Sequence, residues 1–154
     1  MRLTTKGRYA VTAMLDMALH GDAAPVSVVD VAQRQGIPGP YLEQLFARLR
    51  RSGLIESVRG PGGGYRLGRA MDDVSIADII NAVGEGVDAT RCQGAADCRE
   101  GAQCLTHDLW SALSRQIDEF LRGVTLAGLV RQRAAADGAA PEADWVQRIA
   151  ARNL

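Results

Sequence analysis

Three cysteines and a histidine are the residues of this chain whose types and spacing could do chemistry: Cys92, Cys98, Cys104 and His107, with five residues between successive cysteines and two before the histidine. Thiolates are soft ligands for zinc, copper(I) and iron–sulfur clusters, and imidazole suits several of the same metals. Four such groups can close a tetrahedral Cys3His zinc site, but structural zinc sites usually draw on ligand pairs only about two to four residues apart. The wider spacing here suits wrapping a larger object, such as a [2Fe–2S] cluster, in which histidine can replace cysteine on an iron. Three unrelated cysteines, one of them buried, are the plain alternative. An odd count in a chain without a secretory leader argues against a disulfide framework. His20, the other histidine, ends a helix and is given no function.

Around this group the chain must supply elements that position it. Cys104 and His107 stand at i and i+3 and share one face at the start of a helix predicted over about 105–122, with Leu105, Leu109, Leu113, Ile117, Phe120 and Leu121 as its apolar stripe. Cys92 and Cys98 fold over from the glycine-rich stretch 84–103, which has few large apolar residues and needs something else to order it. Ser75 opens the preceding helix, with Asp78 placed for a capping box. Thr125 caps a short last helix through Val130. The segment 134–154 reads as a flexible tail, with one amphipathic turn at Trp145, Val146 and Ile149.

The first half has a different design. A helix runs from Thr4 or Thr5 to His20, and a short one follows Ser27 and stops at Gly36. A third runs from Pro40 or Tyr41 to Arg51, burying Leu42, Leu45, Phe46 and Leu49. The period then changes. Residues 54–59 and 65–67 read as two strands joined by the loop Gly60-Pro61-Gly62-Gly63-Gly64. Two short helices across a Gly/Pro turn, followed by a glycine-tipped hairpin, describe a winged helix-turn-helix, whose second helix enters the major groove of DNA. Arg48, Arg50 and Arg51 suit phosphates, Gln44 and Glu43 suit base edges, and Arg59 beside Gly60 suits a narrow minor groove. Tyr41 is divided between core rim and phosphate contact. A helical domain with a surface hairpin, or a winged helix that binds protein, is the alternative.

Charge agrees with a polyanion partner. The chain has 154 residues and no net charge, yet residues 1–70 hold ten basic and five acidic side chains, and the rest holds eight and thirteen. The apolar fraction of 47% supports a globular core and excludes a mostly disordered chain. No apolar run approaches a membrane span, and no leader is expected, so the chain reads as cytoplasmic. No nucleophile–base pair or phosphate loop is present, so no enzyme is expected.

Four runs also carry a resemblance. Met1–Ala10, Tyr41–Phe46, Val58–Tyr65, and Asp88–Gly94 through Cys104–His107 resemble the IscR family of iron–sulfur regulators, over residues 1 to about 131. The resemblance implies a mainly α fold with a small β-hairpin: a winged helix-turn-helix (1–70), then a cluster-binding loop and long dimerisation helix (71–133). It implies a homodimer that binds a double-stranded DNA operator and a [2Fe–2S] cluster ligated by Cys92, Cys98, Cys104 and His107. It implies control, mainly repression, of iron–sulfur assembly genes, with assembly proteins as the cluster source. Tyr41, Glu43, Gln44, Arg48, Arg50, Arg51, Arg59 and Gly60 are the expected DNA contacts. The family has a small polar residue where this chain has Pro40, and the base contact made there does not carry over. A nitric-oxide-sensing winged-helix repressor, a cluster carrier and a zinc-stabilised regulator are the alternative readings.

Overall fold

The computed structural model describes residues 4–138; Arg2 and the segment containing Trp145, Val146 and Ile149 lie outside the described residues. Helix α1 spans Thr5–His20, α2 Val28–Gln35 and α3 Gly39–Arg51. The hairpin follows as β1 (Ile55–Val58) and β2 (Gly64–Leu67). A 3-10 turn at Met71–Asp73 leads to α4 (Ile76–Ala82), and α5 (His107–Gly123) and α6 (Leu126–Gly138) complete the order. No helix among the described residues is long and apolar enough to cross a membrane.

Local chemistry explains most of these boundaries. The Ser27 hydroxyl accepts the Asp30 amide at the start of α2. At α4 the capping box is complete: Ser75 Oγ accepts from Asp78 N–H at 3.1 Å, and Asp78 Oδ2 accepts from Ser75 N–H at 3.0 Å. Helix α3 ends in a Schellman turn, with Gly53 at φ +75 and Leu54 N–H donating to Leu49 O. Its face Leu42, Leu45, Phe46 and Leu49 is fully buried.

One apolar core joins Ala10, Met14 and Met17 of α1 to the buried face of α3, to Ile76, Ile79 and Ile80 of α4, and to Leu126 of α6. Two short pairings that periodicity does not reveal hold it together. Residues 74–76 run beside 124–126, with Ile76 N–H to Val124 O at 2.9 Å and Leu126 N–H to Val74 O at 2.8 Å, so α4 and α6 start side by side. Val26 forms a bridge with Tyr65 (2.8 and 2.9 Å), which ties the hairpin to the segment before α2. The Tyr65 ring meets Phe46 edge-on at 4.9 Å and fastens the hairpin to α3.

That bridge makes a glycine obligatory. A Cβ on Gly64 would stand 2.5 Å from Val26 O, a backbone atom that cannot yield without breaking the bridge. Gly64→Ala is expected to cost about 1–3 kcal/mol, the usual range for overpacking. Urea unfolding checks it, through a lowered midpoint at unchanged slope.

Three expectations change. Helix α5 begins at His107, because Cys104, Leu105 and Thr106 form the turn before it; Leu105 leaves the apolar stripe and is fully exposed. Helix α6 runs on to Gly138 instead of stopping near Val130, carried by the strong helix formers Ala134, Ala135 and Ala136. The only buried residue of α5 is His107, while Leu109 is 60% and Trp110 40% exposed. Phe120 and Leu121, at its far end, pack on the core.

Candidate metal centre and nucleic-acid interface

The loop between α4 and α5 has few large apolar residues and is shaped by hydrogen bonds and left-handed turns. Gln93, Gly94, Ala96, Glu100 and Gly101 all have positive φ. Asp88 Oδ1 accepts from the amide and the hydroxyl of Thr90, both at 2.6 Å, and Thr90 Oγ1 accepts from Gly94 N–H at 2.8 Å. Ala89 N–H donates to Ser114 Oγ on α5 at 2.8 Å. The hydrogen bonds from Thr90 hold the Asp88 carboxyl below its usual range. This stapling brings the loop's sulfurs over the first turn of α5.

Cys92, Cys98 and His107 offer ligand atoms that all lie within 4.8 Å of one another. Cys98 Sγ is 3.4 Å from Cys92 Sγ and 3.3 Å from His107 Nδ1, and Cys92 Sγ is 3.5 Å from the same nitrogen. The Cys104 sulfur lies 3.9 Å from Thr106 Oγ1 and stands outside the group that gathers within 4.8 Å. All three thiols are half-buried, and the histidine is buried. Partial burial pushes the Cys92 thiol up, but hydrogen bonds from Cys98, the Ala96 and Gly94 backbone and Thr90 outweigh it and bring it down to about 6. The hydrogen bond from Cys98 likewise lowers Cys104. At Cys98 the Cys104 backbone favours the thiolate, yet burial and the two flanking sulfurs prevail and raise it. The result is a thiolate-rich pocket with an imidazole lone pair turned into it, a donor set suited to a soft metal or an iron–sulfur cluster.

One residue that orients the group escapes reading by motif. His107 Nε2 lies 3.2 Å from Ser111 Oγ. With Nδ1 facing the sulfurs, Nε2 carries the proton and donates it to Ser111, a tautomer assigned from these surroundings. Ser111 and Ser114 follow His107 by four and seven residues, so helical spacing from the histidine is the signal that finds both. Ser111→Ala is expected to weaken metal retention about 10–100-fold, as losses of such outer hydrogen bonds do. A chelator competition series against the unaltered protein reads the change.

On α3, Glu43 and Gln44 are adjacent and exposed, away from its buried face. Tyr41 is half-buried and meets Tyr9 edge-on at 5.8 Å. Arg50, Arg59 and Gly60 are exposed, Arg59 and Gly60 at the tip of the hairpin. Arg51 donates to Ala47 O in its own helix at 3.3 Å. Arg48 has a protein partner: its Nη1 donates to Val83 O at 3.2 Å, beyond the end of α4. Arg48 stays exposed while one of its nitrogens bonds the end of α4, and it lies one turn beyond Gln44 on the same face of α3.

The sequence model of Rrf2, described as an iron-dependent transcriptional regulator, matches residues 3–132. The chain belongs to the Rrf2 family. The regulator IscR of Photobacterium profundum is 60% identical to this Rrf2 chain over 131 residues, covering 85% of it and 76% of that protein. The solved structure of T. potens IscR is similar with a TM-score of 0.74 at 37% identity, over 94% of this chain and 96% of that one. CymR, described as the global cysteine regulator of B. subtilis, gives 0.73 at 31% identity, over 85% and 97%. Regulators named for different roles thus share the Rrf2 architecture. Six helices with an antiparallel hairpin are a scaffold, and what an Rrf2 protein holds must be read from its loop residues.

Proposed function

We propose that this chain is an iron–sulfur cluster-sensing DNA-binding regulator, chiefly a repressor, of iron–sulfur assembly genes. The single observation that carries the reading is the gathering of Cys92, Cys98 and His107 within 4.8 Å in a chain that also folds a winged helix-turn-helix. Cys92, Cys98, Cys104 and His107 would hold a [2Fe–2S] cluster. When bound, that group supplies redox-active, acid- and oxidant-labile iron at a loop that has no core of its own. The chain's residues do the rest. Thr90, Asp88 and Ser114 set the loop over α5, Ser111 fixes the imidazole, and buried His107 anchors the group to the helix.

On the DNA side, Glu43 and Gln44 read base edges in the major groove. Tyr41, Arg50 and Arg51 meet phosphates, and Arg59 with Gly60 enters the minor groove of a double-stranded operator. Resemblance to relatives named IscR supports this assignment. The exposed apolar residues of α5 support a homodimer paired along that helix, in which Leu109 and Trp110 are covered. A dimer calls for a palindromic operator with half-sites about one helical turn apart. The cytoplasm is the compartment proposed, and assembly proteins are the cluster source.

The test is anaerobic purification, followed by iron, sulfide and zinc per chain with the visible spectrum. Iron and sulfide of about two each with a [2Fe–2S] spectrum are expected. Zinc of about one without sulfide would make the site structural and overturn the sensing mechanism. A [4Fe–4S] spectrum would favour the nitric-oxide-sensing type of repressor instead.

A further inference from the structure

The chain leaves α4 through a Schellman turn. Glu85 N–H donates to Ile80 O at 3.2 Å, Gly84 N–H donates to Asn81 O at 2.9 Å, and Gly84 sits at φ +73. Helix ends leave carbonyls without helical partners, and here the Val83 carbonyl is met from outside by Arg48 Nη1 of α3 at 3.2 Å. Two residues on, the Glu85 carboxylate closes over the start of α1. It accepts from the Gly7 amide at 3.1 Å and from the Thr4 hydroxyl, and Lys6 Nζ stands 3.8 Å away. Each contact has the favourable sign for its helix, a cation at the C-terminus of α4 and an anion at the N-terminus of α1. Its side chain is only 11% exposed, so Glu85 is built into the packing. Three residues further, Asp88 begins the hydrogen-bonded staple of the cysteine loop. The loop therefore starts from a point gripped by α3 on one side and by α1 on the other.

We propose that Val83–Glu85 is the joint through which the cysteine loop acts on the DNA-reading surface, and that Arg48 and Glu85 are positioning residues within it, not contacts with nucleic acid. The inference rests on the proposed function, because a joint has something to transmit only if the state of the loop alters DNA affinity. Arg48 stands four residues beyond Gln44 on α3, and a pull on its guanidinium reaches the exposed Glu43–Gln44 edge through one rigid helical turn. Glu85 makes the same connection to α1, whose Tyr9 ring supports Tyr41 at the other end of that edge. The glycine between them holds a left-handed φ of +73, and a Cβ there would also press on Arg48 Nη1 at 3.1 Å.

The experiment uses the full chain, purified anaerobically with its metal load and again after chelator stripping. The probe is a duplex selected from a random library by the loaded unaltered protein. Affinities are read by fluorescence anisotropy over a salt series. For the unaltered protein the two forms are expected to differ at least about fivefold, the lower range for allosteric coupling. In Arg48→Gln and in Glu85→Gln that ratio is expected to fall to within about twofold of one, with the salt slope unchanged. A phosphate contact behaves otherwise: both forms weaken alike and the slope drops by about 0.9. That pattern in Arg48→Gln overturns the inference for Arg48, and a variant that keeps the full ratio removes its residue from the joint. Gly84→Ala perturbs the joint with both charges in place, and a lost ratio with an unchanged slope is expected there too. A ratio of one in the unaltered protein would sink the sensing reading itself, an outcome distinct from every failure of the joint.

Discussion

Arg34→Ala is expected to remove about 3–5 kcal/mol of stability at pH 7, the range for breaking a buried ion pair by deleting one partner. Asp16, in the middle of α1, is 2% exposed. Arg34 Nε donates to both of its oxygens at 3.2 and 3.0 Å, Arg34 Nη2 donates at 2.6 Å, and Gln35 Nε2 donates at 2.7 Å. This pins α2 to α1 and sets the angle from which α3 leaves the turn. Burial is the largest influence on Asp16 and pushes its carboxyl up, but the hydrogen bonds from Arg34 and Gln35 and the Arg34 charge together outweigh it and hold it below the usual range. In the unaltered protein the pair therefore contributes fully above the unfolded carboxyl value of about 3.9, and its contribution is lost as pH falls through the lowered folded value. Without Arg34 the buried carboxyl keeps only Gln35 and His20 as lowering partners, so it rises from its lowered position. The loss is therefore expected to shrink as pH falls, because the folded variant takes up the proton more readily than the unaltered protein. Urea unfolding of both proteins at pH 5, 6 and 7 checks the sign. A loss of equal size at all three values would mean that Asp16 is not carrying a buried charge.

Cys98→Ser is expected to abolish metal retention. Cys98 Sγ lies 3.4 Å from Cys92 Sγ and 3.3 Å from His107 Nδ1. Serine's hard, neutral hydroxyl replaces a soft thiolate at the centre of the donor set. Iron and sulfide in the purified variant are expected to fall more than about 100-fold, beyond the loss expected from Ser111→Ala. The metal-free fold is expected to change by no more than about 0.5 kcal/mol, because Cys98 is half-buried and belongs to no part of the apolar core. Metal analysis together with a thermal melt of the stripped protein separates the two effects. Wild-type iron and sulfide in this variant would take Cys98 out of the donor set.

Much of this molecule is local, and what is local was legible in the residues. The starts of α2 and α4 follow from Ser27 and Ser75, each bonding an amide three residues on. The ends of α2 and α3 follow from Gly36 and Gly53 in left-handed turns, and the hairpin follows from its glycine run. The cysteine–histidine spacing singled out four candidate ligands, and three of the four gather in space. Such features need only neighbours within about one helical turn, so side-chain type and periodicity specify them.

Other features depend on residues far apart in the chain. Position 105 carries a leucine in phase with an apolar stripe, yet the turn over 104–107 starts the helix only at His107 and leaves Leu105 outside it. Arg48 has the type and helix of a phosphate contact and is exposed, and tertiary packing also places the end of α4 beside it, giving one of its nitrogens a carbonyl. Glu85 lies in a loop stretch without a motif and meets α1 across 78 positions. Asp16 is buried only because α2 folds over it with Arg34. The sequence by itself determined the elements, their caps and the donor types. Only the tertiary structure decided which charges are buried, which arginine faces protein, and where the loop is anchored, because those outcomes depend on desolvation and on partners that only the folded chain brings together.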